Sequence, residues 1–249
     1  MTFMPEKVTI YSVGLLGGSL GLALKNSGFK GKITGLSSPS AIETAKRLGC
    51  IDEGFTYESL QDVIKDTDLL FLCSPISVIL ETLKKLSTME LPEGLLITDV
   101  GSTKQKIVEA AAFLPPHVYF CGGHPMAGSE KSGPSTSDPY LFQNAIYVLS
   151  PPSGSNGYVE NSFAAFLENY LGCRTLLLEP SIHDRIVATV SHVPHLLAVA
   201  LVCLAETMEE KNPGTLTLAA GGFRDMTRIA SAPYPMWHDI FLTNKAAID

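Results

Sequence analysis

The stretch VTIYSVGLLGGSL, residues 8–20, decides the fold: a β-branched run ends in a glycine-rich turn, and the turn opens directly into an apolar helix. Strand, tight turn and helix in that order form the first βα unit of a nucleotide-binding sheet. Gly14 lets the backbone approach a pyrophosphate. Leu15 and Leu16 lie in the turn and count with Gly14 and Gly17 as cofactor-binding candidates; the N-terminus of the helix that follows faces the phosphates, and Gly17 permits close packing of helix on strand. Ser12 stands where the usual G-x-G-x-x-G spacing has its first glycine, so the fingerprint is incomplete. A tight turn without a ligand reads the same way.

Outward from this turn the alternation of apolar run, turn and amphipathic segment continues to about Ser150. Strands are expected near Val8–Val13, Lys32–Leu36, Asp68–Cys73, Leu95–Val100, Val118–Cys121 and Ala145–Leu149, with helices beginning near Gly17, Ser40, Ile76 and Thr103. Their continuous apolar character predicts a parallel sheet covered on both faces. The segment SPPSGSNG, residues 150–157, marks a boundary between units. Beyond it Phe163, Phe166, Leu167 and Leu171 recur at helical spacing, and a long helical stretch from about Ile182 to Lys211 stops at Asn212-Pro213-Gly214. The expected architecture is a Rossmann-type, doubly wound, mostly parallel α/β sheet in residues 1–152, followed by an all-helical domain in 153–249.

A chain of 249 residues, 45% hydrophobic, buries enough surface to fold without staples. Its net charge of −7, with no cluster of Lys or Arg, argues against nucleic acid as a partner. The five cysteines are odd in number and scattered through apolar runs, as expected of free thiols in a reducing compartment. No secretion signal is read at Met1–Lys7, so a cytoplasmic location is expected. The most apolar region, Ile186–Ala205, contains His192, Pro194 and His195, and its longest unbroken apolar run is Leu196–Ala205. That run is short for a bilayer, so no membrane span is expected.

The second strand ends at Leu36-Ser37-Ser38, without the acid that would recognise the ribose 2′-hydroxyl of NAD. Ser37 and Ser38 can donate to a 2′-phosphate, which tilts the cofactor expectation slightly from NAD towards NADP, although no arginine accompanies them. Capping of the helix over Ala41–Leu48 explains the same two serines.

Farther along, His124 in GGHPMAGSE (122–130) follows a predicted strand, where carboxyl ends of parallel strands line a ligand crevice. Ser102 in DVGSTK (99–104) ends another strand and reaches the same crevice while capping the next helix. Ser191-His192-Val193-Pro194-His195 places two imidazoles three apart on a helix, and GGFRDMTR (221–228) supplies two guanidiniums beside a glycine turn. A zinc site needs three or four ligands, and nothing fixes others beside His192 and His195, so no metal is expected.

In this order, the glycine-rich turn, Asp-x-x-Ser-x-Lys, His-Pro-Met-Ala-Gly-Ser-Glu, Ser-His-x-Pro-His, Gly-Phe-x-Asp-x-Thr-Arg and the following Met236-Trp237 resemble the prephenate/arogenate dehydrogenases over residues 8–245. The resemblance implies NAD(P)-dependent oxidative decarboxylation of a cyclohexadienyl substrate. It makes His124 the acceptor of the substrate hydroxyl proton, Ser102 its orienting partner, Arg228 the anchor of a substrate carboxylate and His195 a pocket histidine. Ser129, Glu130, Gly221, Asp225 and Trp237 match positions that line the pocket, and Cys73-Ser74-Pro75 resembles the loop flanking the cofactor. Trp237 as a packing residue and His192 as a satisfied buried histidine are equally compatible readings.

The resemblance also implies a homodimer. Family members continue for several helical turns past the segment matching Met236–Asp249, so a natural short form and a truncated one are both open. Asn144, near a position where some relatives carry an acid favouring the amino substrate, tilts the expectation weakly to prephenate over arogenate. Two alternatives stand beside this reading: a β-hydroxyacid or pyrroline-carboxylate type reductase, which would use a Lys or Ser/Thr in the helical unit, and a dinucleotide-binding sensor without turnover.

Overall fold

The computed structural model describes residues 4–128, 131–155 and 157–249. Its first compact unit runs to His183 and its second begins at Asp184. In the first, the chain forms β1 (Lys7–Tyr11), α1 (Leu15–Asn26), β2 (Lys32–Leu36), α2 (Pro39–Arg47), β3 (Glu53–Phe55), α3 (Leu60–Ile64), β4 (Leu69–Leu72), α4 (Ile76–Leu86), β5 (Leu96–Asp99), α5 (Gln105–Ala111), β6 (Tyr119–Pro125), β7 (Ile146–Ser150), α6 (Tyr158–Leu171) and β8 (Arg174–Leu177).

Every residue of β4 and β5 is buried, as strands covered on both faces require. The strands form one sheet in the order β3-β2-β1-β4-β5-β6-β7-β8. All neighbours are parallel except β6 and β7, which are antiparallel. Order reverses between β1 and β4. Right-handed crossovers running outward in opposite directions from that point put α1 and α4 on opposite faces, and the crevice between the ends of β1 and β4 is the usual ligand position of such sheets.

Two strands escape the sequence pattern. β3 has three residues, Glu53-Gly54-Phe55, too few to show a period, and β8 is a short edge strand with mixed exposure. α6 has the expected apolar face, with Phe163, Phe166, Leu167 and Leu171 buried. That face covers the sheet: Phe29 meets Phe166 and Tyr170 edge-on at 6.0 and 5.4 Å, and Phe163 lies 6.0 Å from Phe71 of β4. The sheet unit therefore continues past the expected boundary at 152/153 to His183.

The helix α7 (Pro180–Val187) leads through a π turn, Ala188–His192, into α8 (Val193–Lys211). Pro194 has no N–H to give the carbonyl one turn back, and a π turn at that point carries the helix through the proline. The helix is thus continuous from Pro180 to Lys211, 32 residues, and by length and composition long and apolar enough to cross a membrane. Counting only the unbroken run Leu196–Ala205 underestimated it. The second unit continues with α9 (Gly221–Thr227), a 3₁₀ segment Arg228–Ser231, α10 (Tyr234–Thr243) and α11 (Lys245–Ile248).

Candidate active site

At the first βα turn, Ser12 has φ +74°, in the left-handed region that favours glycine. The fingerprint conformation is kept although the glycine is not. A Cβ on Gly17 would lie 2.5 Å from the Ser12 carbonyl oxygen and 2.8 Å from Ile10, so this glycine is required for α1 to pack on β1. A Cβ on Gly14 would meet nothing within 4 Å. Gly14 caps α1 without a side-chain hydrogen bond, so no cap side chain takes up the first-turn amides of Leu15, Leu16 and Gly17.

Across the switch point, Cys73-Ser74-Pro75 follows β4 and leads into α4. The Ser74 hydroxyl is buried and has no hydrogen-bond partner among the described residues. A buried hydroxyl without a partner in the loop after β4, together with the uncapped turn after β1, fits a bound dinucleotide. Desolvation pushes the Cys73 thiol far above its ordinary value, which removes it as a nucleophile.

Ser37 is buried and its hydroxyl accepts the Val13 amide at 3.3 Å, with Tyr57 Oη 3.4 Å away. It braces the turn. Ser38 is exposed and occupies the N-cap of α2 without a side-chain cap bond.

His124 lies within β6, not beyond it. Past Cys121 the strand leaves β5 and continues by pairing with β7, His124 opposite Val148. Two glycines make this possible, because a Cβ on Gly122 would sit 2.9 Å from the Ser150 carbonyl oxygen and one on Gly123 would sit 2.5 Å from that of Asp99. The fully buried carboxylate of Asp99 accepts the amides of Gly101 at 2.7 Å and Gly123 at 3.1 Å. Lys104, also fully buried, pairs with Asp99 and donates to the Gly123 carbonyl at 2.7 Å. One ion pair thus ties the residue before Ser102 to the residue before His124. Ser102 does not cap α5, whose N-cap is Lys104 two residues on.

The half-buried His124 ring has its Nδ1 2.9 Å from Nε2 of His183, a residue only 1% exposed at the end of this unit. His183 carries no motif of its own; its place in Ser181-Ile182-His183-Asp184, opening the long helix, was the only signal.

In the helical unit His195 is buried and Trp237 stacks on it, centroids 3.6 Å apart and planes 2° apart. Among the described residues His195 Nδ1 and Trp237 Nε1 are buried polar atoms without a hydrogen-bond partner. Burial holds the His195 pKa below its ordinary value, partly offset by a hydrogen bond with the Ile229 backbone. Arg228, one residue before, is exposed and forms no ion pair among the described residues. Gly221 and Asp225 are exposed on α9. His192 is the satisfied buried histidine: the Asn244 side-chain amide, which donates to the Asp184 carbonyl at 2.8 Å, lies 3.0 Å from its Nδ1. Among the described residues no three His, Cys, Asp or Glu side chains group to hold a metal ion. Ser129 and Glu130 lie outside the described residues.

Residues 20–172 match the family model for the nucleotide-binding domain of prephenate dehydrogenase, and residues 179–249 match that for its dimerization domain. The prephenate dehydrogenase of Lactococcus lactis is 40% identical over 241 residues, covering 96% of this chain and 65% of its own length. The chain thus spans about two thirds of that curated relative. Among solved structures, the prephenate dehydrogenase of Aquifex aeolicus in complex with hydroxyphenyl propionate and NAD+ superposes with TM-score 0.86 at 37% identity, covering 98% of this chain and 84% of that one. The Synechocystis arogenate dehydrogenase superposes with TM-score 0.82 at 31% identity, covering 97% and 85%. With both of its halves matched by the corresponding models, the chain belongs to the prephenate dehydrogenase family.

Proposed function

We propose that the chain catalyses the oxidative decarboxylation of prephenate or arogenate with a nicotinamide dinucleotide. The observation that carries this is His124 on β6, held through Asp99 in register with the Ser102 segment at the carboxyl edge of the sheet. A bound nicotinamide supplies the hydride acceptor. Gly14, Leu15, Leu16 and Gly17 would hold its pyrophosphate, with Ser74 at the flanking loop. The imidazole of His124 takes the substrate hydroxyl proton while Ser102 orients that hydroxyl. As the ring carboxylate leaves as CO2, its bonding pair enters the ring, which becomes aromatic, and the proton returns from His124 to the oxygen. Arg228 anchors a carboxylate through its planar fork of donors, and His195 and Trp237 offer unpartnered N–H or nitrogen atoms to a substrate.

NAD is the better reading of the cofactor than NADP, since Ser37 is buried and accepts the Val13 amide, leaving Ser38 as the exposed serine at the end of β2. The complex of the Aquifex relative with NAD+ agrees with this. Asn144 has φ +62°, a conformation asparagine tolerates better than most residues. The turn therefore explains it, and the choice between prephenate and arogenate falls to assay.

The match to a dimerization domain gives a role to the exposed stripe Val190, Leu197 and Leu204, which are 63%, 60% and 59% accessible at seven-residue spacing on one helix. We assign it to a homodimer contact of a cytoplasmic enzyme whose five cysteines are free thiols, Cys203 exposed. The decisive experiment assays both substrates against NAD+ and NADP+, with His124→Ala as control. Reduction of the dinucleotide in the wild type and its loss in the variant, with dinucleotide binding kept, is expected. Tight dinucleotide binding without turnover in all four combinations points to a sensor, and full turnover in His124→Ala overturns the chemistry.

A further inference from the structure

His124 presents two ring nitrogens, and its Nδ1 faces His183 Nε2 at 2.9 Å. Two nitrogens at that distance share one proton, and its owner decides what His124 can do. If His183 donates, a neutral His124 carries its proton on Nε2 and has no lone pair there for a hydroxyl proton. If His124 donates, its Nε2 is the base. We propose that His183 is a positioning residue for His124, accepting from His124 Nδ1–H and so fixing the tautomer whose Nε2 takes the substrate proton. This rests on the function proposed above.

Geometry supports a fixed partner. His183 is 1% exposed, and its amide is hydrogen-bonded to the Glu179 carbonyl at 2.9 Å within the first turn of α7. The rings meet edge to face, with centroids 5.1 Å apart and planes at 74°. The same contact survives the reaction. After Nε2 takes the proton, Nδ1–H still donates to His183, which stabilises the imidazolium without placing a negative charge beside it. A doubly protonated His183 would set N–H against N–H and break the contact.

Nitrogen-15 imidazole NMR of the wild-type protein reads the tautomer directly, without substrate. The expected result is His124 protonated at Nδ1 near neutral pH; protonation at Nε2 overturns the proposal whether or not the protein turns over prephenate. Kinetics give the second arm. His183→Ala is expected to lower kcat by about 10- to 100-fold with KM changed less than about threefold. His183→Gln, whose amide oxygen reaches about where Nε2 sits, restores most of the loss. An unchanged kcat in folded His183→Ala, or equal losses in Ala and Gln, sinks the idea. An inactive wild type with the Nδ1 tautomer instead rejects the assigned reaction and keeps the positioning contact.

Discussion

Trp237 lies flat on His195, with ring centroids 3.6 Å apart. The buried imidazole titrates below its ordinary value because burial penalises its charged form more than the Ile229 hydrogen bond favours it. In the unfolded chain it protonates near the usual pKa of about 6.5. Below that pH the unfolded state binds more protons, so this contribution to stability is present at neutral pH and is lost as the pH falls through the folded pKa. His195→Gln should flatten that part of the dependence of unfolding on pH between 7 and 5. Trp237→Ala should move the His195 titration, followed by NMR, up towards the ordinary value. Titration of wild-type His195 at or above that value would contradict the account.

Gly14 and Gly17 should respond oppositely to alanine. At Gly17 the new methyl collides with the Ser12 carbonyl oxygen and Ile10, and the expected cost is about 1–3 kcal/mol in denaturant unfolding. At Gly14 there is room, so stability should change by less than about 1 kcal/mol. Dinucleotide affinity should fall at least about 10-fold, since that methyl fills the space proposed for the pyrophosphate. Equal effects of the two substitutions on calorimetric binding would remove Gly14 from the cofactor site.

Asp99 and Lys104 are both 0% exposed and paired. Removing one partner leaves a buried charge, so Lys104→Met or Asp99→Ala should cost about 3–5 kcal/mol. The double variant should recover part of that loss, as replacing a whole buried pair costs less than breaking it. Activity should stay low in the double variant even where stability returns, because the amides of Gly101 and Gly123 have lost their shared acceptor. Full activity there would show that the carboxylate does not position the site.

Much of this was legible in the chain because the signals are local. Strand, glycine turn and helix at residues 8–26 are specified by neighbours, and the motifs around Ser102 and His124 sit at strand ends as their spacing requires. What was missed depends on partners distant in sequence. The apolar face of α6 announced a helix but not that it covers the sheet beside Phe29 and Phe71. His124 looked like a loop residue because pairing with β7, across more than twenty residues, extends the strand through it. The contact of the Ser37 hydroxyl with the Val13 amide, 24 residues away, had no local signal either. Asp99, Lys104 and His183 carry interactions that only the folded sheet assembles.

Arg228 opens the 3₁₀ segment that also presents Ile229 to His195, so its backbone is fixed next to a buried ring while its guanidinium remains exposed and unpaired by any described acid. An unpaired planar cation on a fixed backbone suits a carboxylate, because the ordering cost of the main chain is already met and two parallel hydrogen bonds become available. If it anchors the ground state and transition state alike, its loss weakens binding without touching the proton transfer at His124. Arg228→Ala should then raise KM for prephenate about 100-fold, near 3 kcal/mol, with kcat within about threefold. Lysine keeps the charge but not the fork, so Arg228→Lys should recover only part of the loss. Steady-state kinetics decide: a fall in kcat at constant KM would place Arg228 in the chemical step instead, and full rescue by lysine would reduce its role to a point charge.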